Sequence, residues 1–313
     1  MYLIRKLQKH HENTALKLLH FYFSLRFKLG KVDIPYFELV LTTKCTLRCE
    51  SCNNLMQYFH PKNQYTCTIE GITQALDKLF TAIDSIQSIR IIGGEPLLFK
   101  DLDKIITYLG KQEKLLCFNI VTNGTLLFRQ EALHALNACL NVEVHISDYS
   151  ASANLKIPLK REALINQLNT HNIPYYVLWT NNNSSWWDPG RIYKRNRTKE
   201  EIICNFKACM MPCVSLMSNE GITSGEKNIA PSGALFVCPI ASSLSRLRGL
   251  KEFEGDFINL SDSNLKTRII EFYAQSFFQA CDYCHDMWLE KKYIPIALQT
   301  DKILEIQNTT LCK

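Results

Sequence analysis

Long apolar runs are missing from this 313-residue sequence. No stretch reaches the roughly 18 uncharged apolar residues that a membrane-spanning helix needs. Near the N-terminus, Arg5, Lys6, Lys9, Glu12 and Lys17 interrupt the apolar residues, so no secretory signal can be recognised. We therefore expect a cytoplasmic protein. In such a protein the thirteen cysteines are expected to be reduced and to include metal ligands.

Beyond the first 32 residues, neither acidic nor basic side chains are in excess. Residues 1–32 carry seven basic side chains and one acidic side chain, which accounts for the whole formal net charge of +6. The balanced remainder argues against a nucleic-acid enzyme with a basic cleft. The apolar residues of the basic segment have helical spacing: Leu3, Leu7, Leu16, Leu19 and Phe23. This helix could lie on an anionic membrane surface. We favour the alternative, in which it packs on the main domain with its basic face in solvent.

Repeats and low-complexity tracts are also missing, and the 46% of hydrophobic residues is enough to build a core. From residue 36 onward, apolar and β-branched segments alternate with segments of helical period. Strands are predicted over 36–42, 88–93, 115–122, 142–147 and 174–180, and helices over 64–83, 101–110, 129–140 and 159–169. This alternation predicts an α/β fold with parallel strands, either a βα barrel or a doubly wound sheet.

A polar cluster follows each predicted strand. These clusters are the cysteine-rich stretch 42–54, GGEP (93–96), TNG (122–124), SDYS (147–150) and TNNN (180–183). In βα barrels the active site is built from loops at the carboxyl ends of the strands. The pattern therefore favours a barrel and predicts that the five clusters converge on one mouth.

Three cysteines stand close together in the first cluster: Cys45, Cys49 and Cys52, in a C-x3-C-x2-C pattern. A structural zinc site needs four ligands, usually as two pairs. No fourth ligand of matching spacing follows, and His60 lies between Phe59 and Pro61 without a ligand pattern around it. The triplet therefore indicates an iron–sulfur cluster with one metal corner left open by the protein.

The triplet, GGEP and TNG together resemble the motifs of radical S-adenosylmethionine (SAM) enzymes over roughly residues 35–185. The resemblance implies a partial (β/α)6 TIM-like barrel. It further implies that Cys45, Cys49 and Cys52 hold three irons of a [4Fe–4S] cluster, whose fourth iron binds the amino and carboxylate groups of SAM. The implied reaction is one-electron cleavage of SAM to a 5′-deoxyadenosyl radical, which removes a hydrogen from a substrate. No protein side chain is assigned a catalytic acid or base role.

Six residues are assigned to SAM binding by the resemblance: Gly93, Gly94, Glu95, Pro96, Asn123 and Ser147. Glycines let backbone approach a ligand closely, and Pro96 would stiffen the turn. Glu95 is expected either to accept from the amino group of SAM or to fix its own loop. Asn123 is expected at a ribose hydroxyl, and Ser147 at the carboxylate or ribose, unless Ser147 is only a strand-end residue.

The contact with adenine has no clear candidate. The position before the third cysteine, commonly aromatic in this family, is Ser51. Tyr58 or Phe59 could replace it, although core packing is the expected role of both. Asp148 and Tyr149, after the fourth predicted strand, are expected at the same mouth and could touch substrate.

Beyond residue 190 the alternation fades and six cysteines follow: Cys204, Cys209, Cys213, Cys238, Cys281 and Cys284. A G-x4-C element ending at Cys238 and the C-x2-C pair 281–284 resemble the auxiliary-cluster extension (twitch or SPASM type) of radical SAM proteins. The resemblance implies a second [4Fe–4S] cluster on Cys213, Cys238, Cys281 and Cys284, with Cys209 as the rival of Cys213. The alternative is a structural zinc ion on the same residues.

Four regions are expected from these patterns: a basic amphipathic helix (1–32), a radical SAM partial barrel (33–195), a small cysteine-rich auxiliary domain (196–290) and a tail (291–313). Flavodoxin or ferredoxin is the expected reductant, since the chemistry consumes an electron.

The expected substrate is a small polar molecule, such as a sugar or aminocyclitol, that is oxidised or epimerised. Trp186, Trp187 and Asp188 after the fifth predicted strand would suit a carbohydrate. A peptide is the alternative, disfavoured because only about thirty residues precede the first strand, too few for a leader-binding domain. The non-enzymatic alternative is an iron–sulfur or zinc scaffold.

Overall fold

The computed structural model describes residues 18–19, 21–178, 185–209, 214–217, 233–285 and 292–306. Strands are numbered in chain order: β1 (Asp33–Ile34), β2 (Phe37–Val40), β3 (Ser85–Ile92), β4 (Leu115–Thr122), β5 (Val142–Ser147), β6 (Tyr175–Leu178), β7 (Ser185–Trp187), β8 (Val214–Met217), β9 (Ala234–Phe236), β10 (Phe257–Asn259) and β11 (Tyr293–Pro295). The α-helices are α1 (Ile69–Ala82), α2 (Leu102–Gly110), α3 (Gln130–Asn137), α4 (Arg161–Thr170), α5 (Lys199–Ala208), α6 (Pro239–Arg248) and α7 (Leu265–Tyr273).

The central sheet has the order β10-β9-β8-β2-β3-β4-β5-β6, and β1 pairs with β3. Pairing is parallel from β8 through β2, β3, β4 and β5 to β6. Because helices connect β3 to β4, β4 to β5 and β5 to β6, the carboxyl ends of these strands lie at one edge. The predicted α/β fold, a partial TIM-like barrel, is confirmed.

Local sequence accounts for where these elements begin and what they bury. Helix α1 starts at the N-cap Thr68, whose hydroxyl accepts a hydrogen bond from Gly71 N at 3.1 Å. Its buried residues Ile72, Leu76 and Leu79 recur at helical spacing. In β4 and β5, the ranges predicted from the sequence coincide with the observed strands.

Strands β9 and β10 extend the sheet in antiparallel pairing beyond β8. Residues of this region, including Leu235, Phe253 and Ile269, belong to the same hydrophobic core as Leu39 and Ile91 of the barrel strands. The described part of residues 196–290 therefore packs directly on the barrel. The division of the chain into four regions stays a prediction.

The helical stretch 21–28 is less buried than expected. Leu19 and Phe23 are half-buried, but Phe21 and Leu29 are 67% and 70% exposed. The guanidinium of Arg26 donates two hydrogen bonds, of 2.6 and 2.8 Å, to the carboxylate of Asp33 and so connects this stretch to β1. Among the described residues, no helix has both the length and the apolar content to cross a membrane.

Candidate active site

The cysteine loop, residues 43–55, follows β2 and carries Cys45, Cys49 and Cys52. Cys49 is buried, and it packs with Leu47 and Ala297 in a small apolar cluster that Cys45 and Cys52 border. Burial, together with the neighbouring Cys52, raises the pKa of Cys49 to about 12, and it raises the pKa of the other two thiols as well. The three thiols are therefore close enough to interact, and the thiolate form needs a nearby cation.

Backbone groups hold the cysteine loop in shape. The sulfur of Cys45 accepts from Leu47 N at 3.4 Å, and the carbonyl of Cys49 accepts from Cys52 N at 3.3 Å. The side-chain amide of Gln57 donates to the carbonyls of Glu50 and Cys52 at 3.1 and 3.3 Å. Hydrogen bonds from the chain itself therefore fix the backbone conformation of the cysteine loop.

Within the ranges that the structure describes, no three histidine, cysteine or carboxylate side chains converge as ligands of one metal ion. The thiolates of a zinc site must converge on one ion. A [4Fe–4S] cluster instead takes one thiolate for each iron that the protein ligates.

The GGEP turn after β3 lies directly against the cysteine loop. Gly94 N donates to Thr42 O, and Glu95 N donates to Lys44 O, both at 2.8 Å. A Cβ atom on Gly94 would lie 2.0 Å from the carbonyl oxygen of Lys44, and one on Gly93 would lie 2.2 Å from that of Thr42. The glycines therefore permit close approach of the chain's own backbone. Their predicted contact with SAM stays a prediction.

Glu95 is fully buried, and its carboxylate joins two loops. Oε1 accepts from Leu97 N at 3.1 Å and from Thr122 Oγ1 at 2.8 Å, and Oε2 accepts from Asn123 N at 2.8 Å. Burial raises the pKa of this carboxyl to about 7, against the effect of these donors. Glu95 was expected either to accept from the amino group of SAM or to fix its own loop. These contacts support the second role. The adjacent Pro96 begins the 3-10 helix Pro96–Leu98.

Asn123, after β4, connects its own turn to the cysteine loop. Its Nδ2 donates to Thr46 Oγ1 at 2.9 Å and lies 3.6 Å from the sulfur of Cys45 as a second acceptor. Its Oδ1 accepts from the N–H and hydroxyl of Thr125 at 3.0 and 2.6 Å. The side chain is thus engaged between the two loops, and the expected ribose contact stays a prediction.

The end of β5 brings Ser147, Asp148 and Tyr149 to the same mouth. Burial raises the pKa of Tyr149 well above its ordinary value, and a hydrogen bond with Ser147 opposes this shift. The ring of Tyr149 contacts Trp186 edge to face, with centroids 5.5 Å apart. Asp148 is buried in an ion pair with Arg161, and Tyr149 packs against the apolar cluster that contains Cys49.

Tyr58 and Phe59 are core residues, as expected. Phe59 is 2% exposed, and the hydroxyl of the buried Tyr58 accepts from Ile192 N at 3.1 Å. His60 is exposed and accepts from Lys62 N, so it serves as the cap of a 3-10 helix. The Tyr149–Trp186 pair forms an aromatic surface beside the cysteines. The TNNN cluster lies outside the described residues.

The segment 296–301, which we name the strap, was missed by the sequence analysis. Strand β11 pairs with β7, and the chain then crosses the cysteine loop, where Glu50 N donates to Leu298 O at 2.7 Å. The amide of Gln299 donates to the sulfur of Cys49 at 3.2 Å. No local sequence signal marks this segment, because its partners are some 250 residues away along the chain.

A cavity of about 260 Å³ lies between the cysteine loop and the strap. Its lining includes Cys45, Arg48, Phe59, Lys156 and Gln299. None of the six residues predicted to contact SAM lines it. The cavity therefore gives access to the side of the cysteine loop that faces the strap.

A polar layer crosses the sheet below the mouth. Glu38, Arg90, Asn119 and Glu143 are paired in register across β2 to β5. Along each strand they alternate with fully buried apolar residues, so they share the other face. His145, whose Nε2 lies 2.7 Å from Glu143, adds to this layer. The buried Asn119 Oδ1 and His145 Nδ1 have no hydrogen-bond partner among the described residues.

The predicted auxiliary ligands are brought together only in part. Burial raises the pKa of Cys281, and the neighbouring Cys284 and Cys209 raise it further, so these three thiols interact. Cys238 is the N-cap of α6, and its sulfur accepts from Ala241 N at 3.4 Å. Cys213 lies outside the described residues. A second cluster, or zinc, on these cysteines stays a prediction.

The C-x2-C loop is held by side chains of the preceding region. Arg197 donates to the carbonyls of Cys281 and Cys284 at 3.2 and 2.9 Å, and Asn205 donates to that of Cys281 at 3.2 Å. The carboxylate of Asp282 accepts from Asn196 N at 3.1 Å. The backbone around this cysteine pair is therefore fixed by the protein.

Comparison with known proteins agrees with this geometry. Residues 39–163 match the family model described as the radical SAM superfamily. Residues 39–163 therefore form a radical SAM domain. A [4Fe–4S] cluster and SAM follow as its cofactors. The matched radical SAM segment contains the cysteine loop, GGEP, Asn123 and the end of β5.

Curated relatives match the radical SAM segment over part of their length. GTP 3′,8-cyclase of Aquifex aeolicus is 33% identical over 143 residues, which is 44% of this chain and 42% of the cyclase. Molybdenum cofactor biosynthesis protein 1 of Dictyostelium discoideum is 36% identical over 100 residues, 32% of this chain and 16% of that protein. The chain thus spans less than half the length of these relatives.

Among solved structures, BtrN in complex with AdoMet and 2-DOIA aligns with a TM-score of 0.45 at 13% identity, over 87% of this chain and 97% of that chain. SuiB of Streptococcus suis bound to S-adenosylmethionine aligns with a TM-score of 0.38 at 15% identity, over 61% of this chain and 40% of that chain.

Proposed function

We propose that this protein cleaves SAM at a [4Fe–4S] cluster held by Cys45, Cys49 and Cys52 and removes a hydrogen atom from a small polar substrate. The observation that carries the proposal is the joining of three strand-end loops around these cysteines. Asn123 bonds to the cysteine loop, and Glu95 of the GGEP turn bonds to Asn123 through its carboxylate and to Lys44 of the cysteine loop through its backbone N–H.

The residues present fit the cluster. Three thiols on one loop provide the donor set, and N–H groups of Leu47, Asn123 and Gln299 point at two of the sulfurs. Such donors stabilise thiolate sulfur in a buried site, where the free thiols would otherwise stay protonated. Three protein ligands leave one iron for SAM, in line with the family.

When bound, the cluster and SAM supply a one-electron cleavage that gives methionine and a 5′-deoxyadenosyl radical. The chain's own residues position and shield that chemistry. Glu95 and Asn123 lock the loops that surround the cysteines, and Gly94 lets the GGEP backbone come within hydrogen-bond distance of the cysteine loop. Tyr149 and Trp186 pack beside the cysteines, and their rings would reduce the amount of water near the sulfur atoms.

The polar layer favours a substrate that is polar and long enough to reach from the mouth into the barrel. Arg90 lies three residues before Gly93, which corresponds to ~10 Å along a strand below the mouth. Buried acceptors such as Asn119 Oδ1 call for water or a polar ligand beside them. A sugar-bearing molecule has both the length and the hydroxyl groups for this position. The GTP 3′,8-cyclase relatives make a nucleotide the first compound to examine.

The outcome we propose is oxidation or epimerisation of a substrate carbon. A second cluster on Cys213, Cys238, Cys281 and Cys284 would accept an electron from the substrate and favour oxidation. The first cluster also requires a one-electron donor of the flavodoxin or ferredoxin type.

Anaerobic reconstitution tests the proposal. The wild-type protein should bind iron and sulfide and should form 5′-deoxyadenosine from SAM after reduction. Cys49→Ala should lose this activity, whereas Cys117→Ala should keep it, because Cys117 lies on β4 away from the loop and donates to Gln87 O. A panel of nucleotides, aminosugars and short peptides, labelled with deuterium, should show transfer of deuterium into 5′-deoxyadenosine from one class. A zinc-only protein that does not cleave SAM would contradict the proposal.

A further inference from the structure

The strap runs antiparallel to the part of the cysteine loop that contains Cys49. Glu50 N donates to Leu298 O at 2.7 Å, and Thr300 N donates to Arg48 O at 2.9 Å. Cys49 and Gln299 face each other as an isolated antiparallel pair. The backbone on both sides of Cys49 is therefore paired with the strap.

The orientation of the Gln299 amide is fixed by its neighbours. The backbone N–H of Arg48 can only donate, and it lies 2.9 Å from Gln299 Oε1. The oxygen must therefore face Arg48, which places the NH2 group on the other side. From there Nε2 donates to Ala297 O at 2.5 Å and to the sulfur of Cys49 at 3.2 Å. Both protons of the amide thus have an acceptor.

Further contacts anchor the strap so that this amide cannot easily turn away. The side chain of Asn154 accepts from Gln299 N at 2.8 Å and donates to Gln299 O at 2.9 Å. Ser152 donates to Ala297 O at 2.9 Å. These contacts come from the loop after β5, so the strap is held from two sides.

The sulfur of Cys49 is also shielded from solvent. Cys49 is 8% exposed, and Ala297 of the strap is fully buried against it and Leu47. A hydrogen bond in such a site is stronger than one in water, because no solvent competes for the acceptor. The Gln299 amide therefore acts on this sulfur with little competition from solvent.

We propose that Gln299 is a positioning residue that raises the reduction potential of the SAM cluster through its hydrogen bond to Cys49. This inference rests on the proposed function, since it requires the cluster. Reduction adds a negative charge that is shared with the thiolate sulfurs, so an N–H donor stabilises the reduced cluster more than the oxidised one. A residue from the far end of the chain would thereby make the electron transfer that starts catalysis easier.

Two variants remove the donor and keep the site filled. Gln299→Met has a side chain of similar length without an N–H group, and Gln299→Leu fills the same space with a branched chain. The matched control is Thr300→Val on the same strap, because the Thr300 hydroxyl bonds only to Lys302 among the contacts described. Iron and sulfide content is measured first, and the midpoint potential is then measured by a redox titration followed by electron paramagnetic resonance.

We expect both Gln299 variants to shift the redox equilibrium about tenfold toward the oxidised cluster, which is ~59 mV for a one-electron couple. Thr300→Val should titrate like the wild type. Equal potentials in all four proteins would overturn the inference, and so would loss of the cluster in both Gln299 variants, because the strap would then only brace the loop. A wild-type protein that binds no iron would instead contradict the proposed function.

Discussion

The carboxylate of Glu95 accepts a hydrogen bond from the backbone N–H of Asn123 at 2.8 Å, and this bond joins the loops that follow β3 and β4. The other carboxylate oxygen accepts from Leu97 and Thr122. A single buried acid thus satisfies three donors at the mouth of the barrel. Polar contacts within the chain itself thus hold the site together.

Replacement of Glu95 by glutamine should destabilise the fold. The glutamine NH2 group would replace one acceptor oxygen, so at least one of the three buried donors would lose its partner. We expect a loss of about 1–3 kcal/mol in the free energy of unfolding, measured by urea denaturation. Glu131→Gln on the exposed face of α3 should change it by less than ~0.5 kcal/mol. Equal effects of the two substitutions would show that the Glu95 contacts do not stabilise the mouth.

Gly94→Ala should displace the cysteine loop and lower the iron content of the reconstituted protein. The added Cβ would lie 2.0 Å from Lys44 O, a backbone atom that cannot move without the loop. Gly255→Ala is the matched control, since its Cβ would have no atom within 4 Å, although its φ of +94° adds strain. The control should lose about 1 kcal/mol of stability and keep its iron. Full iron content in Gly94→Ala would contradict the assigned role of this glycine.

The barrel half of the fold could be predicted because its signals are local. Strand β4 is an unbroken run of mostly apolar residues, and α1 repeats its apolar residues at helical spacing, so both were located from the sequence. Strands β9 and β10 have three residues each, which is too short for a periodic pattern. The strap could not be found either, because the pairing of Gln299 with Cys49 depends on contacts remote in sequence.

Asp256 should make the stability of the protein fall as the pH rises toward 7. Burial raises the pKa of this carboxyl from 3.8 to about 7, so between those values the folded protein keeps a proton that the unfolded chain has released. The contribution of Asp256 is therefore most favourable below its unfolded pKa and is lost as pH rises through the folded one. Asp256→Asn cannot titrate and should reduce this slope by up to ~1.4 kcal/mol per pH unit.

Urea denaturation at pH 4.5, 5.5, 6.5 and 7.5 measures how the free energy of unfolding of the wild type and of Asp256→Asn depends on pH. The Asn variant should be less stable at every pH, because both oxygens of Asp256 accept backbone N–H groups, from Gln279 at 2.7 Å and Ala280 at 2.6 Å. An amide can replace only one of these acceptors. Parallel pH profiles for the two proteins would contradict the raised pKa, whatever the difference in absolute stability.

Arg197→Leu should weaken metal binding at the C-terminal cysteines and leave the SAM cluster intact. Its guanidinium donates to the carbonyls of Cys281 and Cys284, so its loss frees the backbone of the C-x2-C loop. If a second cluster is bound there, the iron content should fall from about eight to about four per chain, while 5′-deoxyadenosine formation without substrate continues. Arg268→Leu, on the exposed side of α7, is the control. Loss of zinc without loss of iron would assign the site to zinc, and an unchanged metal content would show that Arg197 does not support the loop.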